Sequence, residues 1–238
     1  MPEKKAIITI DGPSGAGKSS ISSLVAEKLN FTYLDTGAMY RAAGLKIHRC
    51  EINEKDEKAL AELLDNLDLR LAPDGVETLV FLDGEDVSSA IRTPETAMIA
   101  SRVSAIPAVR KKLTSLQKFL GGGGGIVAEG RDMGTVVFPE ADYKFYLDAS
   151  PDERAKRRVK QLLEKGAKEV NQDEILKQII KRDQNDSARE LSPLKPAQDA
   201  TIIDSTKMTK DNVVKFILDR VNVCRLRHKK ESTGGRLT

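Results

Sequence analysis

The sequence is poor in the residues that metal centres, disulfide scaffolds and stacking surfaces need. Its 238 residues include two cysteines, two histidines and no tryptophan, and aromatic residues make up 4% of the chain. Cys50 and Cys224 are too few for a disulfide framework. With His48 and His228 as the only histidines, a multi-histidine metal site and a Ser-His-Asp triad are both disfavoured. The shortage of aromatic residues also disfavours a surface for single-stranded nucleic acid.

Long apolar runs are missing as well. No stretch approaches the ~18 consecutive apolar residues of a membrane-spanning helix. The apolar run that follows residues 1–5 is too short for the hydrophobic part of a signal peptide. A composition of 39% hydrophobic and 32% charged residues is typical of a folded globular protein. We therefore predict a cytoplasmic protein with no membrane partner.

The formal net charge of +3 is concentrated at the C-terminus. Residues 225–238 contain five Lys or Arg and one Glu, a side-chain sum of +4, which leaves −1 for the other 224 residues. We interpret residues 226–238 as a basic, disordered tail rather than a nucleic-acid-binding segment. The charge distribution thus predicts no nucleic acid partner, and a monomer is taken as the default oligomeric state.

Short β-rich runs alternate with helical patterns along most of the chain. This alternation predicts an α/β fold built on a mostly parallel sheet, formed by residues 1–65 and 94–225. Residues 66–93 differ, because apolar and polar residues alternate on both sides of an Asp-Gly turn. This pattern predicts a small antiparallel insertion. The five consecutive glycines at 121–125 are interpreted as a flexible connector.

A glycine-rich segment indicates the functional class. Residues 12–19 match the pattern G-x-x-x-x-G-K-[ST] at every specified position, between a predicted strand and a predicted helix. Glycines let backbone N–H groups surround phosphates, while Lys18 would neutralise the β- and γ-phosphates and the Ser19 hydroxyl would bind Mg²⁺. The chain is therefore predicted to bind a nucleoside triphosphate. The predicted contacts are Gly12, Pro13, Ser14, Gly15, Ala16, Gly17, Lys18, Ser19 and Ser20.

Two further features bear on the reaction. No Asn is followed by Lys, so the N-K-x-D guanine signature is missing, and no general base is evident near a motif. An acceptor that is itself a phosphate needs no base, because its oxygen is already an anionic nucleophile. The residues therefore favour a kinase acting on a nucleoside monophosphate. A kinase for UMP, dTMP or AMP and a nucleotide-switched protein that binds RNA remain alternatives.

Four segments together resemble the bacterial cytidylate kinase family. They are residues 10–19, 34–41, 91–93 and 130–139, the last reading Gly-Arg-Asp-Met-Gly-Thr-Val-Val-Phe-Pro. The resemblance runs in order over about residues 6–222. It implies a P-loop nucleoside monophosphate kinase fold with a five-stranded parallel sheet flanked by helices and a helical lid, placed at about 151–170. It also implies Mg²⁺-dependent transfer of the γ-phosphoryl group of ATP to CMP or dCMP.

The resemblance implies roles for individual residues. The acceptor nucleotide site would comprise Thr36, Tyr40, Arg41, Ser101, Arg110, Arg131, Asp132, Arg182, Asp186 and Arg189. Within it, Ser101, Arg110 and Asp132 resemble the residues that read cytosine. Lys18, Arg131 and Arg182 would act in catalysis. Of the lid arginines Arg154, Arg157 and Arg158, at least one would reach the γ-phosphate when the lid closes, and Arg157 and Arg158 are the predicted ATP contacts. Glu129 either helps to hold Mg²⁺ through water or serves as a structural hydrogen-bond acceptor.

Overall fold

The computed structural model describes residues 5–75, 77–164 and 166–234. Its strands are β1 (Ile7–Asp11), β2 (Thr32–Asp35), β3 (Leu69–Asp74), β4 (Glu77–Leu82), β5 (Glu85–Asp86), β6 (Ile126–Gly130), β7 (Tyr143–Asp148) and β8 (Thr201–Asp204). Its helices are α1 (Lys18–Leu29), α2 (Thr36–Arg49), α3 (Glu57–Asp65), α4 (Pro94–Val103), α5 (Pro107–Gly121), α6 (Pro151–Glu164), α7 (Gln172–Ser187) and α8 (Lys210–Gly234). Short helical turns also form at Ala90–Arg92 and Met133–Val137.

Five strands form a parallel sheet in the order β2-β6-β1-β7-β8, which confirms the predicted α/β architecture. Strand β6 shows how the sheet separates two apolar clusters. Ile126 and Ala128 pack into a cluster with residues of α2, α4 and α5, whereas Val127 packs into a cluster with residues of α1 and α8. Because successive side chains of a strand point to opposite faces, helices cover both faces of the sheet. The carboxyl ends of β1, β2 and β6 therefore meet at one edge, where ligands bind in open α/β folds.

The segment predicted as an antiparallel insertion forms a three-stranded sheet in the order β3-β4-β5. Leu69 lies opposite Leu82, and the chain reverses after Asp74. Two ion pairs join this sheet to α2. They connect Lys46 to Asp83 at 2.8 Å and Arg49 to Glu85 at 2.7 Å.

The five-glycine segment is packed against its neighbours, so the prediction of a flexible connector is wrong. Gly124 has φ +66°, and a Cβ there would overlap the carbonyl oxygen of Lys5. A Cβ on Gly121 would lie 2.5 Å from Cζ of Phe138. Gly125 donates to the carbonyl of Ala6 and accepts from the N–H of Thr32. Glycine is needed here because the backbone passes close to other backbone atoms.

Helix α8 continues beyond residue 223, where the sequence pattern predicts its end. It includes the backbone of residues 226–234, which the sequence assigns to a disordered tail. This part has no proline or glycine before Gly234 and includes the helix formers Leu226, Arg227, Lys229, Lys230 and Glu231, so no local signal stops the helix. Residues 235–238 of the predicted tail lie outside the described residues. Among the helices in the described ranges, none is long and apolar enough to cross a membrane.

Candidate active site

The glycine-rich loop connects the end of β1 to the start of α1. Gly12, Gly15 and Gly17 have φ values of +151°, +78° and +92°, which residues other than glycine rarely adopt. A Cβ on Gly12 would overlap the carbonyl oxygen of Leu147, because the loop leaves β1 directly against β7. The loop thus adopts the tight turn that the motif predicts, and α1 begins directly after it at Lys18.

Lys18 is the first residue of α1 and is buried. Its Nζ donates a hydrogen bond to the carbonyl oxygen of Pro13 at 2.7 Å, so the side chain folds back across its own loop. Burial, followed by the positive charge of Arg131, lowers the pKa of Lys18 to about 7. The charge of Arg182 acts in the same direction. Three cationic side chains from distant parts of the sequence therefore lie close to each other at the loop.

Glu129 lies near the end of β6 and is buried beside α1. The hydroxyl of Tyr33 donates a hydrogen bond to its carboxylate. Burial, with a contribution from the charge of Asp35, raises the pKa of Glu129. Thr36 donates from Oγ1 to the backbone oxygen of Glu129 at 2.6 Å. Glu129 is thus a hydrogen-bond acceptor, as one of its two predicted roles requires.

A second cluster forms around Asp186, which is 1% exposed. Its carboxylate accepts from Nε of Arg131 at 2.9 Å and pairs with Arg189. Burial alone would raise the pKa of Asp186, but the charges of Arg131, Arg189 and Arg182 outweigh it and hold the pKa below its usual value. Asp186 therefore orients the two arginines that it pairs with.

Arg41 and Arg182 carry polar atoms without partners. Arg41 pairs with Asp35 at 3.2 Å through Nη2, yet its Nε is buried and makes no hydrogen bond with any described residue. The buried Nε of Arg182 likewise has no partner in the described chain. Burial, followed by the charge of Arg131, lowers the pKa of Arg182 to about 10. Leaving a buried donor unpaired is costly, so an anionic group is the expected ligand for both arginines.

The residues predicted to read cytosine form a connected set. Arg110 and Asp132 make an ion pair in which both residues are buried. Arg110 also donates to the carbonyl oxygen of Ser104 at 3.0 Å, and Ser104 donates to the carbonyl oxygen of Ser101 at 2.8 Å. The guanidinium of Arg110 lies 5.6 Å from the ring centre of Tyr40. The structure thus brings Arg110, Asp132 and Tyr40 together, with Ser101 linked through the backbone of α4.

Two arginines of α6 contact the glycine-rich loop. Arg154 is buried and donates to the carbonyl oxygen of Ser14 at 2.9 Å. Arg157 donates to the carbonyl oxygens of Ala16 at 3.3 Å and Ser205 at 2.6 Å. Arg158, also predicted as an ATP contact, donates to Oε1 of Gln161 on its own helix.

Two residues near the loop were not predicted from the sequence. Asp183 pairs with Arg154 at 2.5 Å and accepts from the N–H of Ser14 at 3.4 Å. Asp11 ends β1, and its carboxylate accepts the N–H groups of Met133 and Gly134. A carboxylate directly before the first motif glycine is a signal that could have indicated Asp11. Asp183 adjoins Arg182 in sequence, but nothing local points to its partners on the loop.

The sheet order and the glycine-rich loop define the class of P-loop nucleotide-binding proteins. A solved structure of an uncharacterized protein from Eubacterium ventriosum is similar in fold, with a TM-score of 0.51 over 92% of this chain and 99% of that chain, at 12% identity. The family model described as cytidylate kinase matches residues 8–223, and the chain belongs to this family.

Curated relatives agree with the family model. The chain is 48% identical to the cytidylate kinase of Caldicellulosiruptor saccharolyticus, over 91% of this chain and 95% of that protein. It is 47% identical to the cytidylate kinase of Aeromonas hydrophila, over 92% of this chain and 94% of that protein. The relatives therefore match nearly the whole chain rather than the glycine-rich loop alone.

Proposed function

We propose that this protein transfers the γ-phosphoryl group of ATP to CMP or dCMP, giving ADP and CDP or dCDP. The observation that carries the proposal is the convergence of buried positive charge, with unpaired Nε atoms on Arg41 and Arg182, beside Lys18 and the glycine-rich loop. Such a site is matched by two phosphorylated ligands that meet end to end. Family membership and the relatives' printed name supply the acceptor base.

The chemistry needs positioning rather than proton transfer. An oxygen of the acceptor phosphate attacks the γ-phosphorus, the bond to the β–γ bridging oxygen breaks, and ADP leaves with that electron pair. Lys18, Arg131 and Arg182 are placed to neutralise charge on the transferred group. Removing one preorganised donor from such a site costs roughly 3–4 kcal/mol of transition-state stabilisation. No protein group has to act as a base.

Asp132 supplies the proposed base selectivity. An ionised carboxylate can only accept hydrogen bonds, and cytosine offers an exocyclic N4–H₂ donor where uracil offers a carbonyl oxygen. The buried ion pair with Arg110 holds the Asp132 carboxylate in place. CMP therefore satisfies the carboxylate, whereas UMP leaves it facing another acceptor.

The chain also has groups suited to the metal-bound form of ATP. Within the described residues, no cluster of three or more His, Cys, Asp or Glu side chains forms a metal site. Mg²⁺ in kinases is commonly held by substrate phosphates, water and few protein ligands. Ser19, next to Lys18 and beside Glu129, is the hydroxyl that would hold the ion. A bound Mg²⁺ would neutralise charge on the β- and γ-phosphates.

A coupled ADP-release assay with CMP, dCMP, UMP, dTMP and AMP tests the proposal. CMP and dCMP should show a kcat/KM at least about tenfold higher than the others, equal to about 1.4 kcal/mol of discrimination. The Lys18→Met protein, purified in the same way, measures any contaminating kinase. A preference for UMP, dTMP or AMP would contradict the assignment of the acceptor. ATP hydrolysis that is stimulated by RNA and indifferent to monophosphates would instead indicate a nucleotide-switched protein.

A further inference from the structure

Asp11 is a buried carboxylate at the end of β1. It is 4% exposed and directly precedes Gly12 of the glycine-rich loop. Its Oδ1 accepts the N–H of Met133 at 2.9 Å and its Oδ2 accepts the N–H of Gly134 at 2.8 Å. Both hydrogen bonds thus come from uncharged backbone groups more than 100 residues further along the chain.

These two N–H groups open the helical turn Met133–Val137. The first N–H groups of a helical segment have no acceptor within it, and a side chain at the N-cap position commonly accepts them. The N-cap residue of this turn is Asp132, a residue type well suited to capping. However, its side chain makes no capping hydrogen bond and pairs with Arg110 instead. Asp11 accepts the hydrogen bonds that Asp132 would otherwise accept.

The turn is held closely against β1. A Cβ on Gly134 would lie 3.0 Å from Oγ1 of Thr9 and 3.4 Å from Oδ2 of Asp11. A Cβ at position 134 would therefore be in tight contact with Thr9, and glycine lets the turn approach the carboxylate without that contact. The two oxygens of the Asp11 carboxylate thus lie where the first two N–H groups of the turn need acceptors.

We propose that Asp11 is a positioning residue for nucleobase selectivity. From the end of β1 it accepts the first N–H groups of the turn Met133–Val137, which leaves the Asp132 carboxylate available for the acceptor base. This inference rests on the proposed function. When Asp11 is removed, the Asp132 side chain becomes the nearest capping group for its own turn. A carboxylate that rotates toward the turn no longer points at the base.

The test is a double-mutant cycle that measures the ratio of kcat/KM for CMP to kcat/KM for UMP. Asp11→Ala should lower this ratio about tenfold, equal to about 1.4 kcal/mol of discrimination, because the Asp132 carboxylate would no longer accept from the amino group of cytosine. In an Asp132→Ala background, the same Asp11 substitution should change the ratio by less than about twofold. The ratio is the informative quantity because effects on ATP binding or on the active fraction cancel in it.

Two further variants control for structural effects. Asp142 is an exposed residue whose carboxylate accepts the N–H of Ile7 at the other end of β1, at 2.8 Å, so Asp142→Ala should leave the ratio unchanged. Asp11→Asn keeps one hydrogen-bond acceptor and nearly the same shape, and it should also lower the ratio. It replaces Asp11→Ala in the test if the alanine variant does not fold.

The results separate three cases. If Asp11→Ala and Asp11→Asn lower kcat/KM for CMP and UMP by the same factor, Asp11 is only a structural anchor and the inference is overturned. A similar loss of the ratio in the wild-type and Asp132→Ala backgrounds also overturns it, because the effect would then not pass through Asp132. A wild-type protein with a higher kcat/KM for UMP than for CMP would instead contradict the proposed function. The wild-type kinetics show this preference before any variant is compared.

Discussion

Lys18 holds a positive charge in a place where that charge is costly for folding. Its pKa of about 7 lies below the usual value of 10.5, so between these pH values the folded protein binds fewer protons than the unfolded chain. The penalty is fully present below pH 7 and disappears above about pH 10.5. The buried charge of Lys18 therefore lowers the stability of the folded protein at neutral pH.

We predict that Lys18→Met abolishes turnover and raises the free energy of unfolding at pH 7 by about 1–3 kcal/mol. A Met side chain fills a similar volume without a buried charge. Steady-state kinetics and thermal unfolding measure the two effects. Lys28→Met, in the last turn of the same helix and exposed, should change neither. A variant that keeps more than about a tenth of the wild-type kcat would contradict the role given to Lys18.

Asp132 and Arg110 form the buried pair on which base selectivity is proposed to depend. Asp132→Ala should lower kcat/KM for CMP roughly 10- to 100-fold and lower kcat/KM for UMP much less, because only CMP loses a hydrogen bond to the carboxylate. Initial-rate kinetics with both nucleotides give the ratio directly. An unchanged ratio would show that another residue discriminates between the bases.

Single residues were predictable where a local pattern defines them. Lys18 and Ser19 follow from the glycine-rich motif, and Asp132 follows from the resemblance. The hydrogen-bond partners of Asp11 and Asp183 were not predictable, because these hydrogen bonds span 122 and 169 residues, respectively. Which groups a buried carboxylate meets is decided by the packing of distant elements. No pattern within a short stretch of sequence contains that information.

The five-glycine segment at 121–125 was interpreted as flexible from its composition, but tertiary packing fixes most of its glycines. A Cβ on Gly124 would overlap Lys5, whereas a Cβ on Gly123 would meet no atom within 4 Å. We predict that Gly124→Ala lowers the free energy of unfolding by about 2 kcal/mol or more, since it combines a positive φ with a steric overlap. Gly123→Ala should change it by less than about 0.5 kcal/mol. Chemical denaturation compares the two variants, and equal values would mean that the segment is not packed as described.

The buried side chains of helix α6 lie near its start. Its buried residues are Arg154 and Ala155, both near its start, while Leu163 near its end is 49% exposed. Segments with few buried contacts open with low free energy, and substrate-binding lids are commonly of this kind. The helix boundaries were predictable from charge and apolar spacing. The docking of Arg154 on the loop depends on tertiary contacts that spacing does not reveal.

We predict that a bisubstrate analogue slows amide hydrogen exchange in the C-terminal half of α6 and changes little in its first turn. The reason is that the first turn is already held by Arg154 on the loop. Exchange measured by mass spectrometry on peptides from α6 resolves the two halves. Equal protection of the C-terminal half in free and bound protein would rule out a closing lid.

The stability of the whole protein carries a pH dependence that originates at Asp11. Burial outweighs the two backbone hydrogen bonds and raises the pKa of Asp11 from 3.8 to about 6. The folded state therefore binds more protons than the unfolded chain between these values, so this residue's contribution to stability falls as pH rises from about 4 to 6. Above pH 6 the penalty is constant, at about 2–3 kcal/mol.

We expect the contribution of Asp11 to be visible when the free energy of unfolding of the wild type is compared with that of Asp11→Asn at several pH values. The free energy of unfolding of the wild type minus that of Asp11→Asn should decrease by about 2–3 kcal/mol between pH 4 and pH 7, because Asn does not ionise. Urea denaturation at several pH values measures the difference, and other titrating groups cancel in it. A difference that increases over this range would reverse the sign assigned to Asp11.

The position of β1 at the centre of the sheet has a consequence for synthesis of the chain. Ile7 pairs in register with Ile126, and Ile8 with Tyr143. The central strand is therefore translated first, yet both of its neighbours follow more than 100 residues later. At ~5–20 residues per second, the ribosome needs roughly 6–24 s to add the first of these partners. During that interval the apolar strand beside the glycine-rich loop has neither of its sheet neighbours, and the parallel sheet can assemble only after residues 126–146 have emerged.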